Sequence, residues 1–343
     1  MTDANAWTGH SLKEHHIDNS WHPTMKAAQY TAPGQIDLVD IPIPDRADGQ
    51  VLVRTEKVTI CGSDLHFLQD SPVETYPYKP GQSGHECIGI VEESPFPAFR
   101  RGDRMLVLPL HFDAFAEYVV EDPSLLIPLP EGLDPELGIL GQQLGTVIFC
   151  CKKLKNVLDK VVVVVGQGPA GLLFSMLLYH MGARQVIGLD LVDARLEVAR
   201  QIGVAHALNV DRVDVVEAIQ DITAGAMADV VVEAVGKAET INLCVDLVRQ
   251  RGEVAIFGVP KQDVLPIAME KYLRQNVNIV TSAYAQKEPG LRSFRLALDL
   301  IAQERLDVSP LITHRLPFAK IRDAFHLAET KEDGAVKVLL EFG

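Results

Sequence analysis

Three stretches of this sequence carry side chains of types and spacing that can do chemistry. Cys61-Gly62-Ser63-Asp64-Leu65-His66 and Gly81-Gln82-Ser83-Gly84-His85-Glu86 place a thiol, two imidazoles and two carboxylates in one part of the chain. Cysteine, histidine and a carboxylate are the ligands zinc takes where one coordination position stays open for reaction. Singly, each has an ordinary alternative, since a buried cysteine packs as a small apolar group and a lone histidine is more often structural. The third stretch, Gly166-Gln167-Gly168-Pro169-Ala170-Gly171, directly follows the valine run Val161–Val165 and opens the apolar segment Leu172 to Met181. Between a strand and a helix, GxGxxG is a turn that lets a dinucleotide pyrophosphate approach the backbone at a helix N-terminus.

Asp190 ends the run Val186-Ile187-Gly188-Leu189, nineteen residues past Gly171. A carboxylate there accepts hydrogen bonds from ribose hydroxyls and repels a 2′-phosphate, which favours NAD over NADP. Arg195 is a further candidate on the cofactor side, although a solvated helix face is its plainer reading. Gly258, Val259 and Ser282 to Tyr284 fall at or just beyond strand ends, where a nicotinamide ring would sit.

The elements that must position these groups divide the chain in two. Residues 1–24 hold His10, His15, His16 and His22 without helical or strand periodicity, and read as a tail. From Met25 to about 130, short alternating strands broken by proline and glycine indicate a β-rich, partly barrel-like unit. A helical stretch from about Pro135 to Lys155 follows. Six strands then alternate with helical segments: Val161–Val165, Val186–Asp190, Ala207–Asn209, Val230–Glu233, Val254–Phe257 and Val277–Thr281. That rhythm predicts a doubly wound parallel sheet of the Rossmann type, so the fold class is α/β. Leu291 to Glu304 reads as a helix, and 311–343 as mixed strands.

Composition narrows the function classes. The 343 residues carry 32 Lys+Arg against 46 Asp+Glu, a net charge of −14 with no basic block. This argues against a nucleic-acid or anionic-membrane surface. No apolar run reaches the roughly 18 residues of a membrane span. Five cysteines form no CxxC pair, and the first residues lack the order of a signal peptide, so a cytoplasmic location is expected.

Taken together, the motifs resemble those of the zinc-dependent medium-chain dehydrogenase/reductase superfamily, in its alcohol and polyol dehydrogenase branch. The resemblance runs from Met25 onward and implies a GroES-like catalytic domain over 25–157 and 286–343, with a Rossmann domain over 158–285. It implies that Cys61 and His85 are zinc ligands, that Glu86 is an acid that ligates the zinc in some members and swings beside it in others, and that Ser63 touches the substrate oxygen. His66 would be the outer end of a proton relay, and Asp64 the carboxylate that orients the ligand histidine. The next ligand position falls in Gly141-Gln142-Gln143-Leu144-Gly145-Thr146 and appears as Gln142, with Gln143 one residue away.

The family's four-cysteine lobe has no counterpart in Met105 to Ala114, so one catalytic zinc and no structural zinc is expected. His111 in that loop reads as a surface residue, and Lys337 as a solvated lysine. The implied activity is reversible NAD-linked oxidation of a secondary alcohol, polyol or sugar hydroxyl by a homodimer or homotetramer. A metal-free enone or quinone reductase, or a non-catalytic NAD(P)-binding protein, are the alternatives on the same fold.

Overall fold

The computed structural model describes residues 23–343, so the tail expected over 1–24, with its four histidines, lies outside the described residues up to position 22. Thr24 already begins β1 (Thr24–Ala32), which forms an antiparallel hairpin with β2 (Gln35–Pro42). The first large sheet uses β3 (Val51–Thr59), β4 (Cys87–Glu93), β5 (Arg104–Val107), β6 (Tyr118–Glu121) and β7 (Leu126–Pro128). The short helix α1 (Asp64–Gln69) leaves β3, and α2 (Pro135–Gly138) and α3 (Leu140–Cys151) lead out of this unit.

The second sheet alternates β8 (Val161–Val165), α4 (Pro169–His180), β9 (Gln185–Asp190), α5 (Asp193–Gln201), β10 (His206–Asn209), α6 (Val215–Ile222), β11 (Ala228–Glu233), α7 (Ala238–Leu247), β12 (Val248–Ile256), α8 (Met269–Gln275) and β13 (Asn278–Thr281). Its order is β10-β9-β8-β11-β12-β13, with every neighbour parallel. The order reverses direction between β8 and β11, which is where such sheets bind dinucleotides. After α9 (Arg292–Ala302), the chain returns to the first sheet through β14 (Ile312–Pro317), α10 (Ile321–Thr330) and β15 (Lys337–Glu341). The first sheet therefore runs β14-β15-β3-β4-β5-β7, with β6 also on β3.

Side-chain alternation explains the valine run. Val162 and Val164 enter one apolar core and Val161, Val163 and Val165 the other, so both faces of β8 are buried. The expected mixed-strand reading of 311–343 is corrected by α10. Phe318, Ile321, Ala324 and Phe325 recur at helical spacing and are all buried, and that periodicity outweighs the flanking strand signals. Among the described residues, no helix is long and apolar enough to cross a membrane.

The glycine turn is braced from below. Gln167 is fully buried, and its amide donates to the carbonyls of Val164 and Gly166 while accepting from Ser175 Oγ. Gly188 on β9 leaves the room for that amide, because a Cβ there would stand 2.8 Å from Gln167 Cδ. Gly188→Ala should therefore destabilise the protein by about 1–3 kcal/mol, through displaced packing and lost hydrogen bonds. Denaturant unfolding measures this, and a Gln167→Ala/Gly188→Ala double variant should recover part of the loss.

Candidate functional site

The centre of the site is a carboxylate with no access to water. Asp64 begins α1 and is fully buried. Its Oδ2 accepts from the Cys61 backbone N–H at 2.7 Å, and its Oδ1 accepts from Ser83 Oγ at 2.6 Å. The same Oδ1 lies 3.3 Å from His85 Nδ1, which is also 3.1 Å from the Ser83 carbonyl. Tyr30 closes the far side, its hydroxyl 3.1 Å from Ser83 Oγ. With Nδ1 committed as a donor, His85 keeps Nε2 as the nitrogen available to a metal. Burial opposes a charged imidazole here, but Asp64 and Cys61 outweigh it and push the His85 pKa well above its ordinary value.

Cys61, His85 and Glu86 each present a ligand atom, and those atoms lie within 4.8 Å of one another. Glu86 is almost wholly buried just before β4, and Lys337 Nζ reaches its two carboxylate oxygens at 2.6 and 2.9 Å. Thr59 Oγ1 donates to it as well. Burial would raise the Glu86 pKa, yet the Lys337 and His85 charges and these hydrogen bonds hold it below the usual carboxylate range. Lys337 is itself fully buried, which corrects its reading as a solvated lysine.

The glutamine position also needs correction. Successive residues of a helix point about 100° apart, and α3 turns Gln143, rather than Gln142, to Cys61. Gln143 Nε2 is 3.9 Å from Cys61 Sγ. Its Oε1 is buried with no hydrogen-bond partner among the described residues. A thiol, an imidazole, a carboxylate and an unclaimed amide oxygen form a donor set that fits a zinc ion.

Ser63 occupies the position before α1 and is half-buried, and His66 lies one turn along that helix, also half-buried. Phe112 belongs to the site, and motif reasoning did not find it. Its φ of 51° turns the ring inward, edge-on to His85 with centroids 5.6 Å apart, while His111 beside it is exposed. The signal was faint, because one aromatic residue in a short loop has no periodicity. Behind this loop, Glu121 Oε1 accepts from the Leu110 N–H at 2.9 Å, and burial pushes the Glu121 pKa up to about 7.

On the second sheet, Gly166 has φ 90° and begins the turn after β8. Gly168 caps α4, and Pro169 and Ala170 are its first residues. A Cβ on Gly171 would fall 1.8 Å from the Gly166 carbonyl oxygen, so only glycine allows this approach of helix to strand. Asp190 ends β9 and accepts from the N–H groups of Gln167 at 2.6 Å and Val192 at 2.9 Å. Arg195 Nη1 stands 3.9 Å from Asp190, with its side chain only 16% exposed. It therefore faces the turn, which corrects its reading as a solvated residue. Burial lowers its pKa and Asp190 opposes that effect.

Gly258 lies beyond β12 and donates to the Glu233 carbonyl at 3.1 Å, Val259 is exposed, and Ser282 directly follows β13. Sequence reasoning also missed Glu233. It ends β11 fully buried and accepts from Val235 N–H, Gly236 N–H and Thr240 Oγ1 at 2.9, 2.8 and 2.7 Å, which sets the turn on the other side of the crevice.

Two family patterns match this chain. Residues 47–131 match the alcohol dehydrogenase GroES-like domain, and residues 169–303 match the zinc-binding dehydrogenase domain. The chain is 28% identical to an alcohol dehydrogenase of Cupriavidus necator, over 92% of this chain and 98% of that protein. It is 26% identical to a sorbitol dehydrogenase of Bacillus subtilis, over 92% and 97%. Its fold superposes on the alcohol dehydrogenase TADH from Thermus sp. ATN1 with a TM-score of 0.81 at 25% identity, covering 93% of this chain and all of that one.

The buried acid behind the Phe112 loop gives the site a pH signature. An acid whose folded pKa is raised contributes stability in its neutral form, and that contribution is lost as pH rises from the unfolded value through the folded one. The contribution of Glu121 should therefore fall between pH 4.5 and about 7 by an amount on the order of 3 kcal/mol. In Glu121→Gln that slope should flatten, as read from denaturant midpoints across the same range.

Proposed function

The chain belongs to the zinc-dependent medium-chain dehydrogenase/reductase superfamily, and on that footing we propose a zinc-dependent, NAD-linked dehydrogenase that oxidises a secondary alcohol, polyol or sugar hydroxyl to the carbonyl, reversibly. The observation that carries this reading is the convergence of Cys61, His85 and Glu86 beside an unclaimed Gln143 amide. These four residues would hold one zinc, with no structural zinc elsewhere. When bound, the zinc supplies Lewis acidity toward the substrate oxygen.

The chain's own groups do the rest. Asp64 keeps the His85 ring in one tautomer and one orientation, and Phe112 limits its movement. The Ser63 hydroxyl receives the proton of the substrate hydroxyl, and His66 is the outer end of its path to solvent. Gly166, Gly168, Pro169, Ala170 and Gly171 receive the pyrophosphate. Asp190 and Arg195 meet the adenosine ribose, with the carboxylate favouring NAD over NADP. Gly258, Val259 and Ser282 flank the nicotinamide, whose own chemistry is hydride transfer.

The division into a catalytic unit (25–157 with 286–343) and a cofactor unit (158–285) is part of this reading, and the separation of the strands into two large sheets supports it. A homodimer or homotetramer formed through β13 is supported by its edge position and by exposed Leu273 and Ile279. Five free cysteines support a reducing compartment such as the cytoplasm.

Elemental analysis before and after chelation, with NAD reduction followed on a panel of alcohols and polyols, tests the reading. Close to one zinc per chain is expected, with activity lost on chelation and restored by metal. Activity without zinc would turn the assignment to a metal-free reductase, and inertness on the whole panel to a non-catalytic protein. Gln143→Ala should weaken zinc binding about 10- to 100-fold, on the scale of lost metal-site contacts, while Gln142→Ala leaves it unchanged.

A further inference from the structure

One contact ties the cofactor unit to the helix that carries His66. Lys261 lies in the loop after β12, two residues past Val259, and its Nζ is 2.6 Å from Asp70 Oδ2 on the catalytic unit. Asp70 caps the end of α1, where its backbone N–H donates to the His66 carbonyl at 2.9 Å. Both side chains are partly solvated, so the pair adds little to stability. Its placement has another consequence.

We propose that Lys261 is a positioning residue for His66, bridging the cleft at Asp70 and holding a positive charge against the proton's way out. The charged groups facing His66 are Lys261, Asp70 and Asp64. Burial and the Lys261 charge hold the imidazole below its ordinary pKa, against the two carboxylates. A neutral imidazole accepts a proton, so Lys261 extends the pH range in which His66 can do so. The charge arrives on the same loop as Gly258 and Val259, and the tuning is therefore strongest with that loop drawn onto α1. The inference rests on His66 being the end of the proton path.

Lys261→Met and Lys261→Glu in the zinc-loaded enzyme test it. Titration of His66 by NMR on histidine-labelled protein, assigned with His66→Gln, reads the coupling without any substrate. The acid limb of the kcat profile for NAD reduction reads its use. Both should move to higher pH, by about half a unit or more in Lys261→Met and further in Lys261→Glu. Asp70→Asn added to Lys261→Met should bring them part of the way back. An unmoved His66 titration would overturn the role given to Lys261. A moved titration with an unmoved acid limb would overturn the proton path through His66, and the positioning role with it.

Discussion

A single buried carboxylate organises the catalytic unit. A carboxylate taken out of water is costly unless its oxygens find donors, and the partners that Asp64 finds are the Cys61 backbone, the Ser83 hydroxyl and the His85 ring. Satisfying that charge brings the end of β3, the start of α1 and the segment before β4 to one point. The two side chains best suited to a metal thus owe their approach to a residue that is not proposed to touch it.

The same logic recurs one layer out. Glu86 is a second buried carboxylate, and its counter-charge is Lys337 on β15. A buried ion pair returns little net stability, because desolvation offsets attraction, but removing one partner leaves the other charge stranded. The pair therefore specifies position more than it adds strength. It holds β15 and β4 in one arrangement, and it leaves Glu86 next to Cys61 and His85 without a net excess of negative charge.

Legibility in the sequence followed the range of the interaction. The β8 valines, the glycine turn and Asp190 act within a few dozen residues, and period and spacing exposed them. Cys61, His85 and Glu86 could be recognised because two short motifs carry them. Gln143 was missed for Gln142 because the phase of α3 depends on how that helix packs, and a one-residue offset turns the side chain through about 100°. Lys337 read as solvated because its partner lies 251 residues away, a distance over which local pattern is silent. Arg195 failed for a related reason, since its burial is set by a turn built from another strand. Phe112 depends on one left-handed backbone angle, which a phenylalanine does not advertise.

The separation of Glu86 from Lys337 bears on how the chain acquires its shape. Between them in chain order stands the whole six-stranded parallel sheet, so β3 and β4 leave the ribosome long before the strand that neutralises Glu86. Contacts of such long sequence separation form slowly. The sheet between them is thus a spacer in the chain, and the first sheet gains β14 and β15 at the edge of β3 only once all of that spacer has been made.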